Sequence, residues 1–295
     1  MVNQIGYIEI ETKDDAPWLA LGRAIGFEIA SHPDRGTGFR MDADRWARIL
    51  LAPGKEDRLA AVGWEASSHE EYRRVVERLE ALGAKPEERS DLATRRDVME
   101  LTRFHDPDGV VGELYWGART VIRLPFRSPE HVEFSAGEAG MGHVTLSVRD
   151  VAVSVDFYCR ALGLKITEVA DVGKLSVTFL RAGKRHHTLA LAQLPSDATG
   201  VDHVMIEVST LDDLGSVRDR LIDQGHTLSR DLGRHPTDGV VSLYARTPAT
   251  FTLEIGWGSI SVDDQTWPSE RYKRCGWSWG HRGSAVSLSE LGSMT

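Results

Sequence analysis

Cysteine is scarce: Cys159 and Cys275 are the two in a chain of 295 residues. Two cannot build a disulfide scaffold or a cysteine-rich metal site. No apolar run approaches the roughly 20 residues that span a bilayer. The opening MVNQIGYIEIE has no charged segment ahead of an apolar stretch, so no signal peptide is expected. There is no basic block either. Lys plus Arg number 35 against 44 for Asp plus Glu, a net charge of −9. Nucleic acid and anionic membrane surfaces are poor partners for such a chain. These absences together point to the reducing cytoplasm.

What is present reads as a globular protein. Hydrophobic residues make up 41% and charged residues 27%, enough for a sizeable core. The length suggests two domains at roughly 150 residues each. Histidine stands out, with 11 in the chain and a concentration between His143 and His235.

A repeat organises the pattern. Four segments read as helices that stop at a glycine. The first runs from about Asp15 to Ile25 and meets Gly26. The second follows Ser68, with Glu71 placed for a capping box, and meets Gly83. The third follows Asp150 and ends at Gly163, and the fourth follows Thr210 and ends near Gly225. An alternating strand leads into each helix (GYIEIE, VGWEAS, GHVTLSV, DHVMIEV) and further strands follow it. The spacing from Pro107 to Glu113 equals that from Pro248 to Glu254, so the two halves share one plan. The expected fold is α+β, with four βαβββ modules paired into two domains. Each domain should be a curled mixed sheet around a cavity, with helices outside. The domains should cover residues 1–130 and 131–295, joined by the non-periodic stretch Ala118 to Ala139. A Ser- and Gly-rich tail, Gly283 to Thr295, closes the chain.

Strand periodicity then collects the chemistry. Alternation puts His143, Thr145 and Ser147 on one face, with Val144, Leu146 and Val148 on the other. The fourth module repeats this with His203, Met205 and Glu207, and its closing strand with Thr252 and Glu254. One strand histidine is more often a packed residue than a ligand. Two imidazoles and a carboxylate at matched places in repeated units instead describe a non-haem Fe(II) site with open positions. Mn(II) suits the same donors. In the first half Tyr7 stands for His143, Gly63 for His203 and Glu113 for Glu254, so that half should hold no metal and be structural.

Gly233-Arg234-His235, Leu243-Tyr244, Thr247-Pro248 and Glu254, with GMGHVTLSV, KRHHTLALA, VDHVMIEV and Trp279-Gly280-His281, make the chain resemble a known family. It is the type I extradiol ring-cleavage dioxygenases of the vicinal oxygen chelate superfamily, and most of all their two-domain 2,3-dihydroxybiphenyl 1,2-dioxygenase branch. The resemblance covers nearly the whole chain. One departure is Thr250, where the signature prefers Gly or Pro. The resemblance implies iron ligands at His143, His203 and Glu254. It implies an acid/base histidine at His187, and substrate- or oxygen-contacting groups at His235 and Tyr244. Asp238 is a candidate partner of these groups, and Thr145, Phe179 and Met205 are candidate substrate-pocket residues. If the KRHHTLALA segment is a regular strand, only one of His186 and His187 faces the cavity, which leaves His186 outward or packed. The implied reaction is extradiol cleavage by O2 of a substituted catechol (aryl, fused-ring or alkyl) in aromatic compound degradation, by a homo-oligomer. The competing readings are a glyoxalase-like metal enzyme and a small-molecule-binding module of the same superfamily.

Overall fold

The computed structural model describes residues 1–119, 125–172, 175–196, 198–263, 265–268, 270–273 and 277–282. The Gly283 to Thr295 tail, Cys275 and part of the expected linker lie outside them. The first module is β1 (Val2–Thr12), α1 (Asp15–Ile25), β2 (Glu28–His32), β3 (Gly36–Arg40) and β4 (Ile49–Pro53). The second is β5 (Arg58–Ala66), α2 (His69–Ala81), β6 (Glu87–Glu88), α3 (Ser90–Arg96), β7 (Glu100–His105) and β8 (Val111–Trp116). The third is β9 (Gly142–Ser147), α4 (Val151–Ala161), β10 (Lys165–Val172), β11 (Leu175–Arg181) and β12 (Leu189–Ala192). The fourth is β13 (Gly200–Val208), α5 (Leu211–Asp223), β14 (Leu228–Arg234), β15 (Val241–Arg246) and β16 (Thr252–Trp257). Two short strands, β17 (Glu270–Lys273) and β18 (Trp279–Gly280), were not anticipated, nor was α3.

The helices begin and end where local chemistry dictates. Asp14, Ser68, Asp150 and Thr210 each accept a backbone N–H of the first turn, which satisfies otherwise orphaned donors. Only half of the capping box forms: Ser68 accepts from Glu71 N, while the Glu71 carboxylate turns to Arg74 and the chain's amino group. Gly26, Gly83, Gly163 and Gly225 all carry φ between 75° and 99°, a left-handed conformation that stops each helix without a Cβ clash.

The strands form two open mixed sheets, in the orders β2-β3-β4-β1-β5-β8-β7-β6 and β17-β10-β11-β12-β9-β13-β16-β15-β14-β18. Each has the same centre. The two leading strands pair antiparallel, and each is flanked in parallel by the closing strand of its own module. Helices α1, α2, α4 and α5 lie between the two sheets, while α3 packs on the other face of the first sheet. Between the sheets α1 packs on α5 and α2 on α4, with Trp18 against Phe251 and Trp64 against Tyr158. Arg78 and Arg220 reach across to the carbonyls of Ala161 and Ala24. One continuous apolar core therefore joins both halves. Burying this apolar area from water holds the halves together and leaves the far face of each sheet free for polar groups. No helix among the described residues is long and apolar enough to cross a membrane.

Candidate metal centre and its surroundings

In the second sheet β9, β13 and β16 lie side by side. Met205 on β13 pairs with His143 on one side and Glu254 on the other, and His203 sits two residues before it on the same face. Three donor atoms thereby meet. His143 Nε2 lies 3.1 Å from His203 Nε2, and Glu254 Oε2 lies 3.4 Å and 3.2 Å from the two imidazoles. Ligands about 2.1 Å from a common ion and at right angles are about 3 Å apart, so the set has the spacing of three facial positions. All three side chains are buried. Their electron pairs converge, and a cation is what such a donor set requires.

The surroundings reinforce this. Burial drives His143 down to about 4, despite the pull of Glu254, so it is a neutral donor at neutral pH. Burial also opposes charge on His203, but its hydrogen bonds to Asp202 and Glu254 outweigh that and lift the group to about 9. Glu254 also opposes its burial: the three imidazoles of His143, His203 and His235 hold it ionised, well below the usual range. Asp202 Oδ2 sits 2.6 Å from His203 Nδ1 and fixes that ring. Strict alternation would turn Asp202 to the opposite face. A register shift between Val201 and His203 brings it round, which is why the sequence did not reveal it.

The other expected residues gather at the same face. His187 lies ring to ring with His143 at 4.0 Å and with Phe179 at 4.8 Å. Burial, then the neighbouring His143 and His186, hold it well below its ordinary value, so its imidazole is neutral. The Tyr244 hydroxyl and His235 Nε2 are 2.9 Å apart. Burial, then Glu254, push the Tyr244 phenol well up, so it stays a hydrogen-bond donor. His235 Nε2 is also 3.2 Å from Glu254 Oε1, although that oxygen accepts no aligned hydrogen bond. Thr145 Oγ1 lies 3.0 Å from His203 Nε2. Met205 has no accessible surface and fills the floor between the ligand strands. Asp238 is buried, takes Val240 N, and stands 3.9 Å from His187 Nδ1, too far for a hydrogen bond.

His186 and His187 precede β12 in a bend, so strand alternation does not govern the pair. They diverge nonetheless: His187 faces the centre, whereas His186 is fully buried against Trp267 and Phe179. His186 is thus a packed residue rather than an outward one. His281 of the Trp279-Gly280-His281 motif, to which the sequence assigns no role, covers His235 together with Trp277. Their rings lie 4.7 Å (His281, tilted) and 5.0 Å (Trp277, edge-on) from that of His235. A Cβ on Gly233 would meet the His281 ring at 2.4 Å, so the glycine before Arg234-His235 is needed for this approach.

The first sheet shows what happens without the triad. By register Tyr7, Gly63 and Glu113 correspond to His143, Met205 and Glu254. Gly63 therefore takes the place of Met205, and Ala61, opposite Glu9 as His203 is opposite Thr145, takes that of His203. This corrects the expectation that Gly63 replaces His203; neither residue supplies a ligand. The Tyr7 ring occupies the space, since a Cβ on Gly63 would meet it at 2.5 Å. Guanidinium groups bind the carboxylate here. Arg103, at the register place of Tyr244, lies 2.5 Å from Glu113 Oε1, and Arg96 from the inserted α3 lies 3.0 Å from Oε2. Tyr7 donates to the same oxygen at 2.6 Å. Glu113→Ala should leave iron content unchanged but deprive the buried Arg96 of one of its two carboxylate partners, the other being Glu9 at 2.7 Å. Removing one partner of a buried pair costs about 3–5 kcal/mol, measurable by urea unfolding. A variant as stable as the parent would refute this account of the cluster.

The comparisons with known proteins are consistent with this geometry. A profile of the Glyoxalase/Bleomycin resistance protein/Dioxygenase superfamily matches residues 140–255. The chain is 35% identical to 3-methylcatechol 2,3-dioxygenase of Pseudomonas putida F1, over 95% of this chain and 98% of that enzyme. It is also 35% identical to biphenyl-2,3-diol 1,2-dioxygenase of Metapseudomonas furukawaii, over 95% and 94%. It is 33% identical to an iron-dependent extradiol dioxygenase of Rhodococcus jostii RHA1, over 95% and 97%. Among solved structures, a halotolerant catechol dioxygenase superposes with a TM-score of 0.87 at 28% identity, covering 96% of this chain and 95% of that one.

Proposed function

The chain belongs to the extradiol ring-cleavage dioxygenases of the Glyoxalase/Bleomycin resistance protein/Dioxygenase superfamily, and from that premise we propose that His143, His203 and Glu254 hold the iron at which it cleaves a substituted catechol. The observation that carries the assignment is the mutual 3.1–3.4 Å spacing of two imidazoles and one carboxylate on adjacent strands. Ferrous iron held by these three residues would supply Lewis acidity toward the catechol and the redox chemistry that O2 requires.

The chain's own side chains do the rest. Neutral His187, beside the centre, takes the proton of a catechol hydroxyl and later returns one, as general base and then acid. Tyr244 and His235, already hydrogen-bonded to one another, donate to substrate oxygens. Asp202 holds His203 in its ligating orientation. Phe179, beside His187, and Thr145, beside His203, are assigned to the substrate pocket, with Met205 buried between His143 and Glu254 and Asp238 buried near His187. We assign the substrate to the aryl, fused-ring or alkyl catechols, such as 2,3-dihydroxybiphenyl, because the relatives named above act on aryl and alkyl members. Residues 131–295 are read as the catalytic domain and residues 1–130 as a structural one. The protein is read as a cytoplasmic homo-oligomer with neither nucleic acid nor membrane as partner.

The test is anaerobic reconstitution followed by O2. A chelator should abolish activity and Fe(II) should restore it, with Mn(II) run in parallel. One O2 should be consumed per catechol, and both atoms of labelled O2 should enter a coloured ring-opened acid. Isomerase activity without O2 uptake would favour a glyoxalase-like enzyme. Ligand retention with neither reaction would favour a binding module.

A further inference from the structure

Behind His187 lies a buried carboxylate that the mechanism above does not use. Glu168 on β10 is 1% exposed, and neither of its oxygens accepts a hydrogen bond among the described residues. Burying a polar group unpaired is costly, so such a group calls for an explanation. Its nearest partner is His186, whose Nε2 lies 3.5 Å from Glu168 Oε2 and is itself buried without an aligned hydrogen bond. The other nitrogen of that ring, Nδ1, lies 3.1 Å from His187 Nδ1. The Thr167 hydroxyl donates to the His186 carbonyl at 2.6 Å and ties the bend to β10. A carboxylate, an imidazole and the acid/base imidazole thus stand in line.

The half without a ligand triad provides an internal control. Arg48 N bonds Phe39 O as Thr188 N bonds Leu180 O, which makes Trp46 and Ala47 the counterparts of His186 and His187. Ala30 pairs with Gly38 where Glu168 pairs with Phe179. The carboxylate and both imidazoles are absent together from the sheet that has no ligand triad.

We propose that Glu168, acting through His186, is a positioning residue that sets the tautomer of His187. The carboxylate accepts from His186 Nε2–H. His186 Nδ1 is then an acceptor, and His187 Nδ1–H donates to it. His187 is left with its far nitrogen, Nε2, unprotonated and available as the base. An orienting carboxylate behind a histidine has the same logic in hydrolytic triads. The inference rests on the extradiol reading, because that reading gives His187 its task.

The experiment compares Glu168→Leu, Glu168→Gln, His186→Leu and the Glu168→Leu/His186→Leu double variant with the parent. Catechol cleavage by the parent is established first; without it the functional reading fails, whatever the variants do. Glu168→Leu should lower kcat about 10–100-fold, as loss of an orienting partner commonly does. KM and iron content should stay unchanged. Glu168→Gln, which keeps an oxygen acceptor, should retain most of the rate. In the double variant, loss of Glu168 should add nothing to loss of His186. Metal-free protein gives an independent readout. Ring 15N shifts should show His187 protonated on Nδ1 in the parent, and a mixture of tautomers in Glu168→Leu. Glu168→Leu should melt close to the parent, since the one long contact with His186 that it loses is offset by no longer burying a carboxylate. Parent-like kcat in Glu168→Leu, or an unchanged His187 tautomer, would overturn the proposal. So would equal rate losses in Leu and Gln accompanied by lower melting, which would assign Glu168 to packing.

Discussion

Glu254→Ala is expected to give a folded protein that retains no stoichiometric iron and cleaves no catechol above background. The carboxylate is the one anionic donor among the three, and both imidazoles approach it within 3.4 Å. Without it a divalent ion would bring two positive charges into a buried site with no carboxylate in the ligand set, the nearby Asp202 and Asp238 lying behind His203 and beside His187. Charge that is buried and unbalanced is expensive. His143→Ala and His203→Ala should have the same outcome for a different reason, since each removes an imidazole donor and leaves too few protein ligands. His203→Ala should be the more disruptive of the two, because it also strands Asp202. The fold should survive all three. The ligand strands are held by their apolar faces, Val144, Leu146, Val204, Ile206, Leu253 and Ile255, which are buried between sheet and helices. The measurements are iron per chain after reconstitution and desalting, O2 uptake with catechol, and far-UV circular dichroism. Full iron in any one variant would remove that residue from the ligand set.

The sequence displayed the modules because their signals are local. Caps such as Asp150 and Thr210, and glycines such as Gly163 with φ 76°, act within one helical turn. The ligand faces were also legible, since β9 and β16 keep strict alternation through His143 and Glu254. What escaped lies where alternation breaks. Asp202 is turned inward by a register shift, and Glu168 follows another between Ile166 and Glu168. The offset of Gly63 against His203 had a similar origin. VGWEAS and DHVMIEV align by their hydrophobic pattern in more than one way, and only the pairing with β1 decides the register. The guanidinium cluster around Glu113 was hidden for another reason. Arg96 arrives on α3, an insertion in one of the four modules, so the repeat gave no reason to look for it.

His187→Phe is expected to keep iron, bind catechol with a KM near that of the parent and lose about 10²–10⁴ in kcat, the usual contribution of a general acid–base group. Iron should stay because His187 is no part of the converging triad; its ring lies beside that of His143 at 4.0 Å. Binding should hold because Phe179, Thr145 and the Tyr244–His235 pair remain in place. The loss should fall on the steps in which a proton leaves the catechol hydroxyl or is returned, since among the described residues no imidazole outside the triad has its ring closer to that of His143. His186→Gln is the matched comparison. It differs by one position, and its ring is directed to Trp267 and Glu168 instead of the centre. Its loss should be clearly smaller than that of His187→Phe, because it alters only the setting of the base. Single-turnover kinetics started from the anaerobic enzyme–catechol complex separate binding from the proton-transfer steps. If His186→Gln showed the larger loss while His187→Phe ran at the parent rate, the catalytic assignment would pass to His186, and the order of carboxylate, positioning imidazole and base would have to be redrawn.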